Sequence, residues 1–462
     1  MSMLGAILTP HPPVLLPEVG HGREREISAS AKAMYTAAKQ AAQWHPDVLI
    51  IASPHTILYG DYFHISPGEK AEGDMSAFGA PEVHIQVQYD TALREEIIHH
   101  AEKAGLHAGT LGERDAALDH GVLIPLYFLR KAGITCPIVR MGLSGFSPLA
   151  HYQLGQCVAQ AAETLGRRAL FVASGDLSHK LKADGPYGYA PEGPLFDKTV
   201  TDIMASANFL QFLTMDTTLC ERAAECGLRS FQMMAGALDG CAVAPELLSH
   251  EGTFGIGYAV AVFSITGRDD DRHFAPLYEA AEHRRLAEHR AKEDHWVQLA
   301  RLSLETYIRE GHRLDHLPAD LPDTLTKHTA GAFVSLHLGG RLRGCIGTIA
   351  PTSENVAWEI VNNAIAAGTR DPRFSPVRSE ELSALEYSVD VLGEPEPVSS
   401  SAALDPKQYG VIVSCGSRRG LLLPDLDGVD TAEQQISIAR QKGGIDATEP
   451  YTLARFKVVR HQ

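Results

Sequence analysis

Val48-Leu-Ile-Ile-Ala-Ser-Pro-His-Thr56 is an unbroken apolar run that ends in a short turn carrying a histidine. Such a run reads as a strand buried on both faces, the pattern of a sheet covered by helices on either side. Ala169-Leu-Phe-Val-Ala173 repeats it and leads into Ser174-Gly-Asp-Leu-Ser-His179, and the first strand, near residues 3–8, leads into Thr9-Pro-His-Pro-Pro13. Open α/β sheets hold their ligands beyond the carboxyl ends of the strands. His11, His55 and His179 are therefore expected along one sheet edge, and a shared metal ion is the simplest reason for imidazoles to converge there.

Outward from these segments, strand-like runs near 82–88, 138–143 and 256–264 alternate with helical patterns over Ile27–Trp44, Asp90–Ala104, Pro148–Leu165 and Leu228–Leu238. The alternation predicts an α/β domain over residues 1–267, with a central mixed sheet flanked by helices. Residues 268–290 are rich in charge and poor in large apolar side chains, as a helical linker would be. From 291 onward an amphipathic helix through Trp296, Leu299, Leu302 and Ile308 precedes alternating strands at Ala332–Leu338, Leu342–Gly347 and Leu385–Leu392, with a helix near 354–367 between two of them. That region, 291–462, is expected to be a compact α+β domain with a largely antiparallel sheet.

With 462 residues the chain is long enough for two domains. Its 41 basic against 57 acidic side chains give a formal charge of −16, which argues against nucleic acid or an anionic membrane as a general partner. No apolar run approaches spanning length, and the amino terminus reads as a strand, not a signal peptide. Seven scattered cysteines without a Cys-x-x-Cys pair suggest reduced thiols and a cytoplasmic protein.

Imidazole suits Fe, Zn, Cu and Ni, and two histidines with one carboxylate and open positions is the non-haem Fe(II) pattern. His11 and His55 are the first two candidate ligands, on loops stiffened by Pro10, Pro12 and Pro54. Thr9-Pro-His-Pro-Pro13, Ser53-Pro-His55, Leu118-Asp-His-Gly121 and Ser174-Gly-Asp-Leu-Ser-His179 together resemble the class III extradiol ring-cleaving dioxygenases over residues 1–265. The resemblance implies Fe(II), with Zn as a replacement acquired in purification, held by His11, His55 and a glutamate at the start of a late helix. Glu225 is the preferred carboxylate, with Glu246 and Glu251 as rivals. It further implies His179 as acid/base, His120 as an assisting imidazole, and a catecholic substrate opened by O2. Asp176 stands where ring-cleaving members usually carry glycine. Ser-x-Asp-x-x-His is also similar to the Memo family, in which that histidine is a metal ligand; by that likeness His179 would complete the shell and ring cleavage would not follow. The loop Asp184–Gly193 is a candidate lid or substrate wall.

A second motif, Leu342-Arg-Gly-Cys-Ile-Gly-Thr348, joins a basic residue, glycines and a thiol. Arg343 is placed to favour a Cys345 thiolate, while a buried structural cysteine is the alternative. With Ala367-Gly-Thr-Arg-Asp-Pro-Arg-Phe-Ser-Pro376 and Glu386-Tyr-Ser-Val-Asp-Val-Leu392 it resembles the AMMECR-like family, which implies a fold without an assigned reaction. Arg343, Cys345, Arg370, Asp371 and His337 are candidate liners of one cleft. The two resemblances together imply a radical-SAM protein as a partner, by analogy, and a homodimer is expected from the habits of the first family.

Overall fold

The computed structural model describes residues 2–112, 117–426 and 428–462. The chain divides into two compact units, Met1–Glu282 and His283–Gln462.

The first unit is built on a six-stranded sheet. Its strands are β1 (Met3–Thr9), β2 (Val48–Ser53), β3 (Ile138–Gly142), β4 (Ala169–Ser174), β5 (Cys241–Glu251) and β6 (Tyr258–Arg268), ordered β3-β2-β4-β1-β6-β5. The first four in that order are parallel; β6 is antiparallel to β1 and β5 to β6, so the sheet is mixed as expected.

The alternation of side chains explains why β2 is apolar throughout. Val48, Ile50 and Ala52 enter one core, with helices α2 (Thr91–Lys103), α4 (Pro148–Thr164), α5 (Glu192–Ser206) and α6 (Leu228–Ala237). Leu49 and Ile51 enter the other, with α1 (Ser28–Gln43) and α3 (His120–Lys131). Each of the Val, Leu and Ile side chains contributes about 1.5–3 kcal/mol through burial, and Ala52 less. The run at 82–88 is not in this sheet: Ala80–Gln88 pairs with Lys70–Met75 in a separate hairpin.

All four parallel strands end on the same edge. Helix α7 (Phe274–Arg290) then carries the chain from the first unit into the second.

The second unit is α+β. Strands β7 (Ala332–Leu338), β8 (Arg341–Gly347), β9 (Leu385–Leu392) and β14 (Val458–His461) form an antiparallel sheet ordered β8-β7-β9-β14. Its apolar face is covered by α8 (His295–Glu310) and α9 (Val356–Thr369). A second antiparallel sheet, β10-β13-β11-β12, uses Glu396–Val398 (β10), Gly410–Cys415 (β11), Arg418–Leu422 (β12) and Thr452–Phe456 (β13), packed on α10 (Ala432–Lys442). All seven cysteines are free thiols. Among the described residues no helix is long and apolar enough to cross a membrane.

Candidate metal centre

His11 follows β1, His55 follows β2, and His120 opens α3, so three loops deliver three imidazoles to one sheet edge. Each offers a ring nitrogen within 4.8 Å of the others. The Nε2 atoms of His11 and His55 are 3.1 Å apart, and the His55 and His120 rings lie 4.0 Å centre to centre.

The hydrogen bonds fix which nitrogen of His11 is free. Ser174 Oγ donates its only proton to the Gly121 carbonyl at 2.6 Å. It can therefore only accept from His11 Nδ1, 3.0 Å away. His11 Nε2 is left with a bare lone pair facing His55 Nε2. Two ring nitrogens bound to one ion at about 2.0–2.1 Å each sit at such a spacing, so the donor set fits a divalent transition metal.

The electrostatics keep imidazole neutral, as a ligand must be. Burial first, and then the charge of His55, push His11 down to about 3, against the pull of Asp119. Burial first, and then the charges of His55 and His11, push His120 down to about 4, again against the pull of Asp119.

Asp119 ties two of the loops together. As the N-cap of α3 it accepts from Val122 N–H at 3.1 Å, from Ser53 Oγ at 2.7 Å and from Thr56 Oγ1 at 2.8 Å. Arg140 Nη2, from the middle of the buried strand β3, is 3.2 Å from its carboxylate. Burial alone would raise the Asp119 pKa, but Arg140 and the two hydroxyls outweigh it and hold the carboxyl below its usual range. Gly121 lets the segments meet, since a Cβ there would lie 2.3 Å from Ser53 Oγ.

A second set of groups stands beside His11. Asp176 is buried; its Oδ1 accepts from the His11 backbone N–H at 2.9 Å and its Oδ2 lies 3.8 Å from His11 Nε2. Burial pushes this carboxyl up to about 6. Cys226 Sγ is 3.8 Å from His11 Nε2, and burial raises its thiol well above the ordinary range.

Sequence reasoning passed over Cys226, Asp119 and Ser174. The signal available was positional: Ser53 and Thr56 flank His55, and Asp119 stands at the N-cap position directly before His120.

Glu225 lies on the other side of Cys226, where its carboxylate accepts from Leu228 N–H at 2.7 Å and caps α6. It is outside the imidazole trio, and burial pushes it up to about 7. The rival carboxylates have other partners: Glu246 accepts from Gln40 Nε2 at 2.9 Å, and Glu251 from Ser30 N–H and Oγ.

His179 is also outside the trio. Its ring stacks on Tyr187 of the 184–193 loop, at 5.1 Å and 25°, and burial lowers its pKa against the opposing pull of Asp176. Its segment is held from behind: Ser178 N–H donates to Asp197 Oδ1, and Asp197 Oδ2 pairs with His250 Nε2, each at 2.8 Å.

In the second unit Arg343 is committed elsewhere than to the thiol, donating to Glu381 through Nε at 2.7 Å and Nη2 at 3.1 Å. Cys345 N–H donates to Asp371, whose carboxylate also takes a forked pair from Arg373. That pair, ahead of the backbone bonds, holds Asp371 far below the usual carboxylate range. The Cys345 thiol accepts from Ser335 Oγ at 3.2 Å, and burial raises its pKa. Of the two readings of Cys345, these contacts favour the structural cysteine: Arg343 is paired with Glu381 and burial favours the neutral thiol. Arg370 is exposed at the end of α9, and His337 is half-buried on β7.

Comparison with known proteins gives two family matches. Residues 5–261 match the catalytic LigB subunit of aromatic ring-opening dioxygenase, and residues 297–461 match AMMECR1. A protein of Clostridium acetobutylicum is 39% identical over 472 residues, covering 100% of both chains. A Thermotoga maritima protein is 50% identical over 169 residues, which is 36% of this chain and 97% of its own. Among solved structures, an uncharacterized protein of Pyrococcus horikoshii is similar with a TM-score of 0.34 and 29% identity, over 36% of this chain and 88% of that one.

Proposed function

We propose a reaction for a chain that belongs to the family of the catalytic LigB subunit of aromatic ring-opening dioxygenases: oxygen-dependent cleavage of a catecholic ring at a non-haem iron centre, with the AMMECR1 segment fused behind it. The observation that carries this reading is the trio of His11, His55 and His120, three imidazole donors gathered at the carboxyl edge of the sheet. An Fe(II) ion held there would acidify a chelating diol and supply the oxygen chemistry.

The remaining groups act on protons and position. Ser174 holds His11 in the tautomer that leaves Nε2 open. Asp119 holds the His55 loop and the start of α3 in one place. His179, neutral near pH 7, takes a proton from the diol and returns it to the opened product. Tyr187 covers the His179 ring and keeps water from that side.

Reconstituting the full-length chain with Fe(II) without oxygen, then measuring O2 uptake on a panel of catechols, tests the reading. Uptake that disappears in His11→Ala supports it. Metal binding without uptake on any catechol sinks it.

A second reading is favoured by one feature: the third donor that stands with His11 and His55 is the imidazole of His120, and among the described residues no carboxylate joins the group. An all-imidazole set suits a Memo-like metal component that works with a radical-SAM protein and cleaves no ring, with His120 in the place that the Memo likeness gave to His179. The same O2 measurement separates the two.

A further inference from the structure

The metal centre has a wall that the imidazole trio does not use. Strand β6 runs antiparallel to β1, with Ile7 opposite Val262 and Leu8 opposite Ala261. The pairing ends at Leu8 and Ala261, so Tyr258, the first residue of β6, stands at the end of the sheet where β1 hands the chain on to His11. Gly257 N–H donates to Ser178 O and accepts in return from Leu177 N–H at its own carbonyl, which locks Tyr258 beside the His179 segment.

Tyr258 is 2% exposed, yet among the described residues its hydroxyl has no hydrogen-bond partner. Asp176 and Tyr187 are its electrostatic neighbours. Tyr152, buried as deeply, is by contrast paired twice, donating to Asp239 and accepting from Phe274 N–H. A buried polar group left without a partner is costly, and one that faces an opening is a donor waiting for a ligand.

We propose that Tyr258 orients the molecule bound at the metal centre, its hydroxyl donating to an ionised oxygen of a catechol-type ligand. This rests on the reading of the trio as a metal centre that takes such a ligand. The neighbourhood of Tyr187 and His179 gives that ligand an aromatic side wall, and Tyr258 supplies the donor that selects for an oxygen at the ring.

The full-length chain, loaded with Fe(II) without oxygen, is titrated with 4-nitrocatechol, whose visible absorbance shifts on ionisation. Wild type is expected to bind with that shift. Tyr258→Phe is expected to keep its metal content and unfolding temperature while binding about tenfold more weakly, the loss of one hydrogen bond to a charged group. Equal binding by the two proteins overturns the role of Tyr258 and leaves the metal-centre reading intact. Loss of metal by Tyr258→Phe overturns it too, since the residue would then serve the metal and not the ligand. A metal-loaded wild type that gives no shift overturns both readings.

Discussion

Replacing Asp119 by Asn tests whether the metal centre depends on the carboxylate that joins its loops. The side chain keeps its size but loses the charge facing Arg140, whose own side chain is 2% exposed. Removing one partner of a buried pair costs about 3–5 kcal/mol, because the guanidinium is left uncompensated. For a unit of this size that is a fall in unfolding temperature of roughly 6–20 °C. The amide also cannot accept at both oxygens from Ser53 and Thr56, so the His55 loop loosens. Weakening an outer support of this kind typically lowers metal affinity about 10–100-fold. Zn(II) competition against a chromophoric chelator, with thermal unfolding of the full chain in parallel, measures both. The double variant Asp119→Leu, Arg140→Met should recover stability without recovering affinity. Wild-type affinity in Asp119→Asn, whatever its stability, would refute the argument that this carboxylate places the ligands.

Three further outcomes are expected. Ser174→Ala frees His11 to carry its proton on either nitrogen, so Zn(II) affinity should fall about tenfold with little change in fold; unchanged affinity would show that the tautomer is not set there. In the metal-free chain Glu225 holds its proton up to about pH 7, above its unfolded value, so its stabilising contribution is complete in acid and lost as pH rises through 7. Glu225→Gln should then be more stable than wild type at pH 8, by about 3 kcal/mol, and match it only below its unfolded value, at about pH 4; a gap that widens toward acid would reverse the assignment. Cys345 should alkylate more slowly than a free thiol at about pH 8, as followed by peptide mass; rapid modification would restore the thiolate reading.

The sheet was legible because its inner strands are apolar on both faces: β1, β2, β3 and β4 fall within a residue or so of the runs that suggest them. Strand β5 was not, since Pro245, Glu246 and half-exposed positions along Cys241–Glu251 break any period at a sheet edge. In the second unit β7, β8 and β9 alternate clearly, whereas the second sheet is assembled from short strands far apart in sequence, whose pairing no local pattern records. His11 and His55 could be read as neighbours from their places after strands. His120 follows no strand of the sheet, so its place beside them came only from the likeness of Leu118-Asp-His-Gly121 to a known family and not from any local pattern. Whether Cys345 is charged was also beyond the motif, because burial and the partner of Arg343 decide it.

The backbones of Gly175 and Gly227 cross so closely that a Cβ on the former would lie 2.2 Å from the Cα of the latter. A methyl group there would force the crossing strands of chain apart by about 1 Å before ordinary contact was restored. Asp176 and Cys226, each the next-door neighbour of one of these glycines, would be carried off together. Acid and sulfur beside His11 are thus coupled through a hinge that no drift of either side chain can adjust, and any descendant of this chain that retunes one must accept a displaced other.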